Sequence, residues 1–169
     1  MDETSDPSEP RWLDSEEQDA WRSYIEATIR VWRALDSDLH AATGLTDDDY
    51  GVLSLLSESP SRARRMTDLA TFLDTSPSRV TYRIDRLIDK GYLRREPCPT
   101  DRRGTLAVLT EDGLAALEAA APIHVANVRR HLTDHLTRED FLELGRILET
   151  VASAHRPINW NDQQSDPAS

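Results

Sequence analysis

The sequence lacks several features that would place it in a common functional class. Cys98 is the only cysteine, which excludes an internal disulfide and a cysteine-based zinc knuckle. No apolar run approaches the ~18 residues of a membrane-spanning helix, so we expect no membrane partner. The first ten residues, MDETSDPSEP, are acidic and have no apolar segment. We therefore expect no signal peptide and a cytoplasmic protein.

Motifs of enzymes and nucleotide-binding proteins are also missing. The chain has no G-x-G-x-x-G, no P-loop, no H-E-x-x-H and no C-x-x-C, which are the short motifs with a known catalytic or cofactor-binding geometry. We therefore predict that the protein is not an enzyme and that it binds no cofactor and no metal.

Positive charge is scarce, and it is unevenly distributed. The net charge is −11, which by itself argues against a nucleic-acid partner. However, residues 62–103 hold eleven Arg or Lys against six Asp or Glu, a net of +5, whereas the remaining residues sum to −16. A basic segment set in an acidic chain favours a surface that binds a polyanion.

Helical periodicity dominates the chain between two polar ends. Residues 1–14 are expected to form a disordered acidic arm and residues 155–169 a flexible tail. Residues 57–65, SESPSRARR, are expected to be a loop. Apolar residues otherwise recur at helical spacing in six segments, each preceded by a residue that can cap a helix: Ser15, Thr46, Thr67, Ser76, Thr110 and Thr137.

The period changes from helical to extended around residues 92–110. YLRRE and TLAVLT flank the loop PCPTDRRG, which is typical of two antiparallel strands joined as a hairpin. The order helix, helix, tight turn, helix, hairpin predicts a mainly α fold with a small β-hairpin wing, a winged helix-turn-helix. In that arrangement the helix after the turn enters the major groove of DNA.

The residues predicted to face DNA follow from this arrangement. If Val80, Ile84 and Leu87 point inward, then Arg79, Tyr82, Arg83 and Arg86 point outward. The hairpin tip holds two adjacent arginines, and guanidinium groups suit the strongly negative minor groove. Asp101 is placed to pair with a neighbouring arginine and to hold the tip rigid.

Residues 66–114 resemble the DNA-binding core of the MarR family of bacterial transcription regulators. The matching features are S-P-S-x-V-T at the start of the second motif helix, D-R-L-x-x-x-G-Y-L-R-R after it, D-x-R in the wing, and L-T-E-D-G at its end. The resemblance implies a wing arginine at Arg103 buttressed by Asp101. The complete set of expected DNA-binding residues is Ser76, Ser78, Arg79, Thr81, Tyr82, Arg83, Arg86, Asp101, Arg102 and Arg103.

The resemblance also implies the architecture and the partners. Residues 46–113 would form the winged helix-turn-helix, and residues 15–43 and 111–154 would supply the dimerisation helices of a homodimer. The dimer would act, usually as a repressor, on a pseudo-palindromic operator in double-stranded DNA, and a small aromatic effector would release it. The alternative is a winged-helix protein-interaction module that does not bind DNA.

Several residues admit two interpretations. The aromatic residues Trp21, Tyr24, Trp32 and Tyr50 are either core residues or the lining of an effector site. Cys98 is either inert or a thiol sensor, and His131 and His135, at i and i+4 of an expected helix, are either surface residues or metal ligands of a sensing regulator.

Overall fold

The computed structural model describes residues 10–73 and 75–155, except for the side chains of Phe72, Arg102 and Arg103. These residues form six α-helices, numbered α1 to α6: Ser15–Thr43, Asp47–Glu58, Met66–Phe72, Pro77–Asp89, Glu111–His131 and Arg138–Ser153. They also form three strands, β1 to β3: Ala63–Arg65, Leu93–Cys98 and Asp101–Leu109. The predicted mainly α fold with a small β wing is confirmed. None of the described helices is long and apolar enough to cross a membrane.

Four of the six predicted helix caps are confirmed. Thr46, Ser76, Thr110 and Thr137 each accept a hydrogen bond from the amide three residues further on. In α2 the bond is reciprocal, because Asp49 accepts from the amide of Thr46. These side chains satisfy amides that the helix itself cannot pair, so the sequence determines where each helix begins.

Two predicted caps are wrong. The residue that caps α1 is Asp14 rather than Ser15, and Asp14 and Glu17 exchange hydrogen bonds of 2.8 and 3.0 Å. With Asp14 as the cap, Glu17 occupies the third helical position, and from there its carboxylate accepts a hydrogen bond from the cap amide. Helix α3 begins at Met66 with no side-chain cap, because the preceding strand already fixes the backbone up to Arg65.

The expectation that residues 57–65 form a loop is also wrong in part. Ala63–Arg65 forms strand β1, which pairs antiparallel with β3 so that Ala63 lies opposite Val108 and Arg65 opposite Leu106. The sheet order is β1-β3-β2, so the wing has three strands rather than two. A strand of three residues is too short to show the alternation by which strands are recognised in a sequence.

The core lies where α2, α4, α5 and the end of α1 pack against the sheet. Its fully buried side chains include Leu39, Leu45, Val52, Leu53, Leu56, Leu69, Val80, Ile84 and Leu87. The predicted inner face of α4 is therefore confirmed. Because one face of α4 is fixed in this core, its opposite face is held rigidly toward solvent.

The first half of α1 and the whole of α6 lie outside this core. The buried residues of α1 are Leu35 and Leu39, near its end, and no residue of α6 is buried. Large apolar side chains on these two helices are exposed, a feature that usually marks an interaction surface: Trp21, Tyr24, Ile29, Trp32, Leu142, Ile147, Leu148 and Val151.

Candidate nucleic-acid interface

The outer face of α4 gathers most of the residues predicted to contact DNA. Ser76 caps the helix and Pro77 occupies its first turn, where no amide donor is required. With Val80, Ile84 and Leu87 buried, the opposite face lines a shallow depression of about 400 Å³ formed by Ser78, Arg79, Tyr82, Arg83 and Arg86. Ser76 and Thr81 are also exposed. A rigid, arginine-rich helical face is therefore available to an anionic partner.

The three arginines of this face differ in their partners. Arg83 donates through Nη2 to Oδ2 of Asp48, and Arg86 Nη2 lies 3.5 Å from Oδ2 of Asp49. Among the described residues, Arg79 forms no ion pair. Arg79 is therefore free to reach a partner, whereas Arg83 and Arg86 are held against the start of α2.

The acids that hold these arginines were not predicted from the sequence as part of the site. Asp47, Asp48 and Asp49 are consecutive in the first turn of α2, where negative charge is favourable because of the helix dipole. Only the capping role of Asp49 follows from local spacing. One signal in the sequence could have indicated these ion pairs. Three consecutive acids stand at the start of α2, and three arginines lie on α4.

Asp47 contacts residues of α1 and α5. Its amide donates to Asp36 at 2.9 Å, and its Oδ1 lies 3.4 Å from Nδ1 of His124 on α5. Burial raises the pKa of Asp47 above its ordinary value. The ring of His124 also stacks on Tyr50, with ring centroids 4.3 Å apart. The start of α2 thus connects α4 on one side to α1 and α5 on the other.

The wing is braced by a residue from β1. Arg65 Nη2 donates to Thr100 Oγ1 at 2.8 Å, and its Nη1 lies 3.9 Å from Asp101 Oδ2. The backbones of Arg102 and Arg103 lie in β3, but their side chains lie outside the described part of the structure. The expected pairing of Asp101 with a neighbouring arginine of the tip therefore stays a prediction.

The L-T-E-D-G motif attaches the wing to α5. The hydroxyl of Thr110 accepts from the Gly113 amide at 3.0 Å and lies 2.7 Å from the carbonyl oxygen of Gly91 and 3.0 Å from that of Tyr92. A Cβ on Gly113 would lie 2.2 Å from the Tyr92 carbonyl oxygen, far inside van der Waals contact. The close approach of α5 to the strand therefore requires glycine at this position.

The aromatic residues proposed as an effector site do not form one cluster within the chain. The rings of Trp21 and Tyr24 stack with their centroids 5.9 Å apart. Both side chains, like that of Trp32, are about half exposed. Their interpretation as core residues is wrong for the single chain, because they lie on the part of α1 that precedes its buried residues, Leu35 and Leu39. At 1.5 Å per helical residue, Tyr24 is about 28 Å from the end of α1 that adjoins Tyr50.

Cys98 has features that favour and oppose reactivity. Its thiol lies 3.4 Å from the hydroxyl of Thr100, and hydrogen bonds from Thr100, with a smaller effect of Arg65, lower its pKa. However, the residue is only 5% exposed. A redox sensor needs access to its oxidant as well as a low pKa, so the geometry favours the inert interpretation.

The predicted placement of His131 and His135 on one helix is wrong. Helix α5 ends at His131, because Leu132 has a non-helical conformation, and His135 lies in a 3₁₀ turn, Thr133–His135. His131 Nε2 instead lies 2.8 Å from Asp38 Oδ2 on α1. The described residues contain no group of three or more His, Cys, Asp or Glu side chains that could hold a metal ion.

Comparison with known proteins agrees with this geometry. A sequence profile of the MarR family matches residues 43–104. Sco3205 is a MarR family transcriptional regulator from Streptomyces coelicolor whose structure was solved in complex with DNA. Its sequence is 44% identical to this chain, and the two structures superpose with a TM-score of 0.83 over 89% of this chain and 94% of Sco3205. This chain belongs to the MarR family. The expectation drawn from residues 66–114 is thereby confirmed.

Other members of the MarR family resemble the chain to different extents. AbsC from Streptomyces coelicolor is 45% identical with a TM-score of 0.80, over 86% of this chain and 97% of AbsC. The multiple antibiotic resistance protein MarR of Salmonella typhimurium is 32% identical over 84 residues, half of this chain. That match spans 58% of the Salmonella protein, less than two thirds of its length.

Proposed function

We propose that this protein is a cytoplasmic, sequence-specific DNA-binding transcription regulator. The observation that carries the proposal is the exposed face of α4, on which Arg79, Arg83 and Arg86 line one depression within the basic segment of an otherwise acidic chain. A relative of the same fold, Sco3205, was solved in complex with DNA. In a winged helix-turn-helix the corresponding helix reads base edges in the major groove.

The regulator acts as a homodimer on a pseudo-palindromic operator. Support comes from apolar side chains left exposed on α1 and on one face of α6, among them Trp21, Trp32, Leu148 and Val151, which a second copy of the chain would cover. Two copies related by a two-fold axis present two α4 helices, and such helices suit half-sites about 34–36 Å apart, one turn of B-DNA. We propose repression as the usual outcome, because a dimer bound across a promoter excludes other proteins.

An aromatic effector releases the dimer from DNA in this proposal. Trp21, Tyr24, Trp32 and Tyr50 supply flat apolar rings, although a site that contains both Tyr24 and Tyr50 would need residues of a second chain. A ligand releases DNA only if it binds the DNA-incompetent state more tightly. Titrating phenolic and other aromatic acids against the protein–operator complex tests this. If an active compound releases wild type, Tyr24→Ala and Tyr50→Ala at the same concentration, these residues do not form the site.

The experiment that tests the function is selection from random duplexes with the full-length protein. We expect enrichment of an inverted repeat, followed by gel shifts whose affinity falls steeply with salt, with about −0.9 in the slope of log K against log salt for each phosphate contacted. A selection that enriches no sequence, or binding that is insensitive to salt, would contradict the proposal. That result would favour the winged-helix protein-interaction module instead.

A further inference from the structure

We propose that Asp48 is a specificity-determining residue. It holds the guanidinium of Arg83 in a direction that contacts bases and keeps it from the backbone phosphates, which DNA of every sequence presents. The inference rests on the proposed function and deepens it, because it assigns discrimination between operator and other DNA to an acid outside the recognition helix. Asp48 would contact Arg83 rather than DNA, and its role is therefore that of a positioning residue.

The geometry separates Asp48 from the other acids near α4. Its carboxylate pairs with Arg83 Nη2 across 35 positions of sequence, and the Asp48 side chain is 65% exposed whereas that of Arg83 is 25% exposed. The pair therefore lies at the edge of the arginine-lined depression and is open to an approaching ligand. Asp49, by contrast, is buried and accepts a hydrogen bond from the amide of Thr46, the cap of α2, so its removal would disturb folding.

The pair leaves part of the guanidinium available. A guanidinium group has five N–H donors in a fixed fork, and Asp48 occupies the Nη2 end of Arg83. The remaining donors can still reach the O6 and N7 acceptors of guanine, the commonest specific contact of arginine in the major groove. Because the carboxylate fixes the direction of the fork, Arg83 reaches a guanine with less loss of side-chain freedom.

A phosphate contact is affected in the opposite way. Because Asp48 aims the free donors at base edges, Arg83 must turn away from Asp48 to reach a backbone phosphate, and the exposed carboxylate then stands unpaired close to a polyanion. The loss of the ion pair and the repulsion between the carboxylate and DNA both oppose contact of Arg83 with the phosphate backbone. Contact with the backbone is the main source of non-specific affinity. Arg79 has no such carboxylate partner among the described residues, and Asp49, which lies 3.5 Å from Arg86, is buried. Of these three arginines, Arg83 is therefore the one restrained by an exposed carboxylate.

The test compares affinity for the selected operator with affinity for a scrambled duplex of the same length. Asp48→Asn should lower the ratio of the two affinities about two- to fivefold per protomer, the range expected for loss of an exposed ion pair. The matched control is Asp68→Asn, which removes the same charge from the first turn of α3 at a position with no ion pair in the described structure. Asp68→Asn should strengthen binding to both duplexes by similar factors.

A double-substitution cycle separates positioning from net charge. In an Arg83→Ala background, Asp48→Asn should leave the affinity ratio unchanged, because the residue through which Asp48 acts is absent. The inference is overturned if Asp48→Asn behaves like Asp68→Asn, or if its effect on the ratio persists without Arg83. A wild-type protein that prefers no duplex at all overturns the proposed function itself, and with it this inference. Thermal unfolding of each variant shows whether a change in binding reflects loss of the fold.

Discussion

At the scale of single residues, the arginines differ more in their surroundings than in their chemistry. Nineteen of the twenty basic residues are arginine, so residue type alone does not distinguish a DNA contact from a structural brace. Arg65 supports the wing tip through Thr100, Arg62 pairs with Glu111 at 2.8 Å, and Arg64 donates to Ser59 at 2.8 Å. These three arginines make internal contacts, which leaves α4 and the wing tip as the main candidates for contact with DNA.

Substitutions in α4 and in the wing should have different consequences. Arg79→Ala should relax preference at particular base pairs by about 1–3 kcal/mol, the value of a bidentate base contact. Arg103→Ala should instead weaken binding to many sequences together, because an arginine in the minor groove reads shape. Gel shifts with the operator and single-base variants make the comparison. An unchanged operator affinity in Arg103→Ala would show that the wing assignment is wrong.

A pH-dependent contribution to stability is expected from Asp38. The hydrogen bond from His131, aided by the charge of Arg130, lowers the pKa of Asp38 below its ordinary value of 3.8. A carboxyl with a lowered folded-state pKa stabilises the fold above its unfolded-state pKa, and this contribution is lost as pH falls through the folded-state value. Asp38→Asn should therefore be less stable than wild type at pH 6, and the difference should shrink below about pH 3.8.

Urea denaturation between pH 6 and pH 3 measures this difference. Asp19→Asn is the control, because Asp19 pairs with Arg22 on the surface of α1, where both side chains are more than two thirds exposed. Such a pair contributes little to stability at any pH. A deficit of Asp38→Asn that stays constant down to pH 3 would contradict the assignment to ionisation of this carboxyl.

At the scale of secondary-structure elements, local chemistry was predictable and distant pairing was not. Thr46, Ser76, Thr110 and Thr137 act on amides three residues away, so their spacing reveals the helix starts. Strand β1 forms only because β3 lies beside it. The contacts of Arg65 with Thr100 and of Arg83 with Asp48 each join residues 35 positions apart. Nothing in the spacing of a single sequence specifies such contacts.

The junction between the wing and α5 gives a test of one element. Gly113→Ala should destabilise the protein by about 1–3 kcal/mol, a typical value for overpacking a filled site, because the new Cβ meets the Tyr92 carbonyl. Gly51→Ala, within α2, is the matched control, because no atom of the described residues lies within 4 Å of its Cβ position apart from its chain neighbours and its own helix backbone. It should stabilise the protein by about 0.5–1 kcal/mol, the helix-interior difference between the two residues. Thermal denaturation that ranks the two variants in the opposite order would contradict the close approach.

At the scale of the whole molecule, the sequence predicted helices with apolar stripes but not which of them share a core. The periodicity of α1 and α6 resembles that of α4, yet α4 buries its stripe within the chain whereas no residue of α6 is buried. The core interpretation of the aromatic residues of α1 fails for the same reason, since Trp21 and Trp32 are exposed in the single chain. A helical stripe shows that a partner is needed, and only the packed structure shows whether the same chain supplies it.

Helix α6 offers a matched pair of substitutions that tests the dimer. Val151 and Leu142 are 53% and 55% exposed, and at 100° per residue they lie on opposite faces of the helix, about 180° apart. Val151 shares its face with Leu144 and Leu148, so we expect it to be covered by the second copy.

Val151→Glu would bury an unpaired charge there, which should weaken the dimer by about 3 kcal/mol, roughly a hundredfold in its dissociation constant. Leu142→Glu makes the same kind of change on the opposite face and should leave the dimer intact. Sedimentation of both variants over a range of concentrations, together with operator gel shifts, decides the matter. The arrangement is wrong if Val151→Glu stays as dimeric as Leu142→Glu, or if the Val151→Glu monomer binds the operator as tightly as wild type.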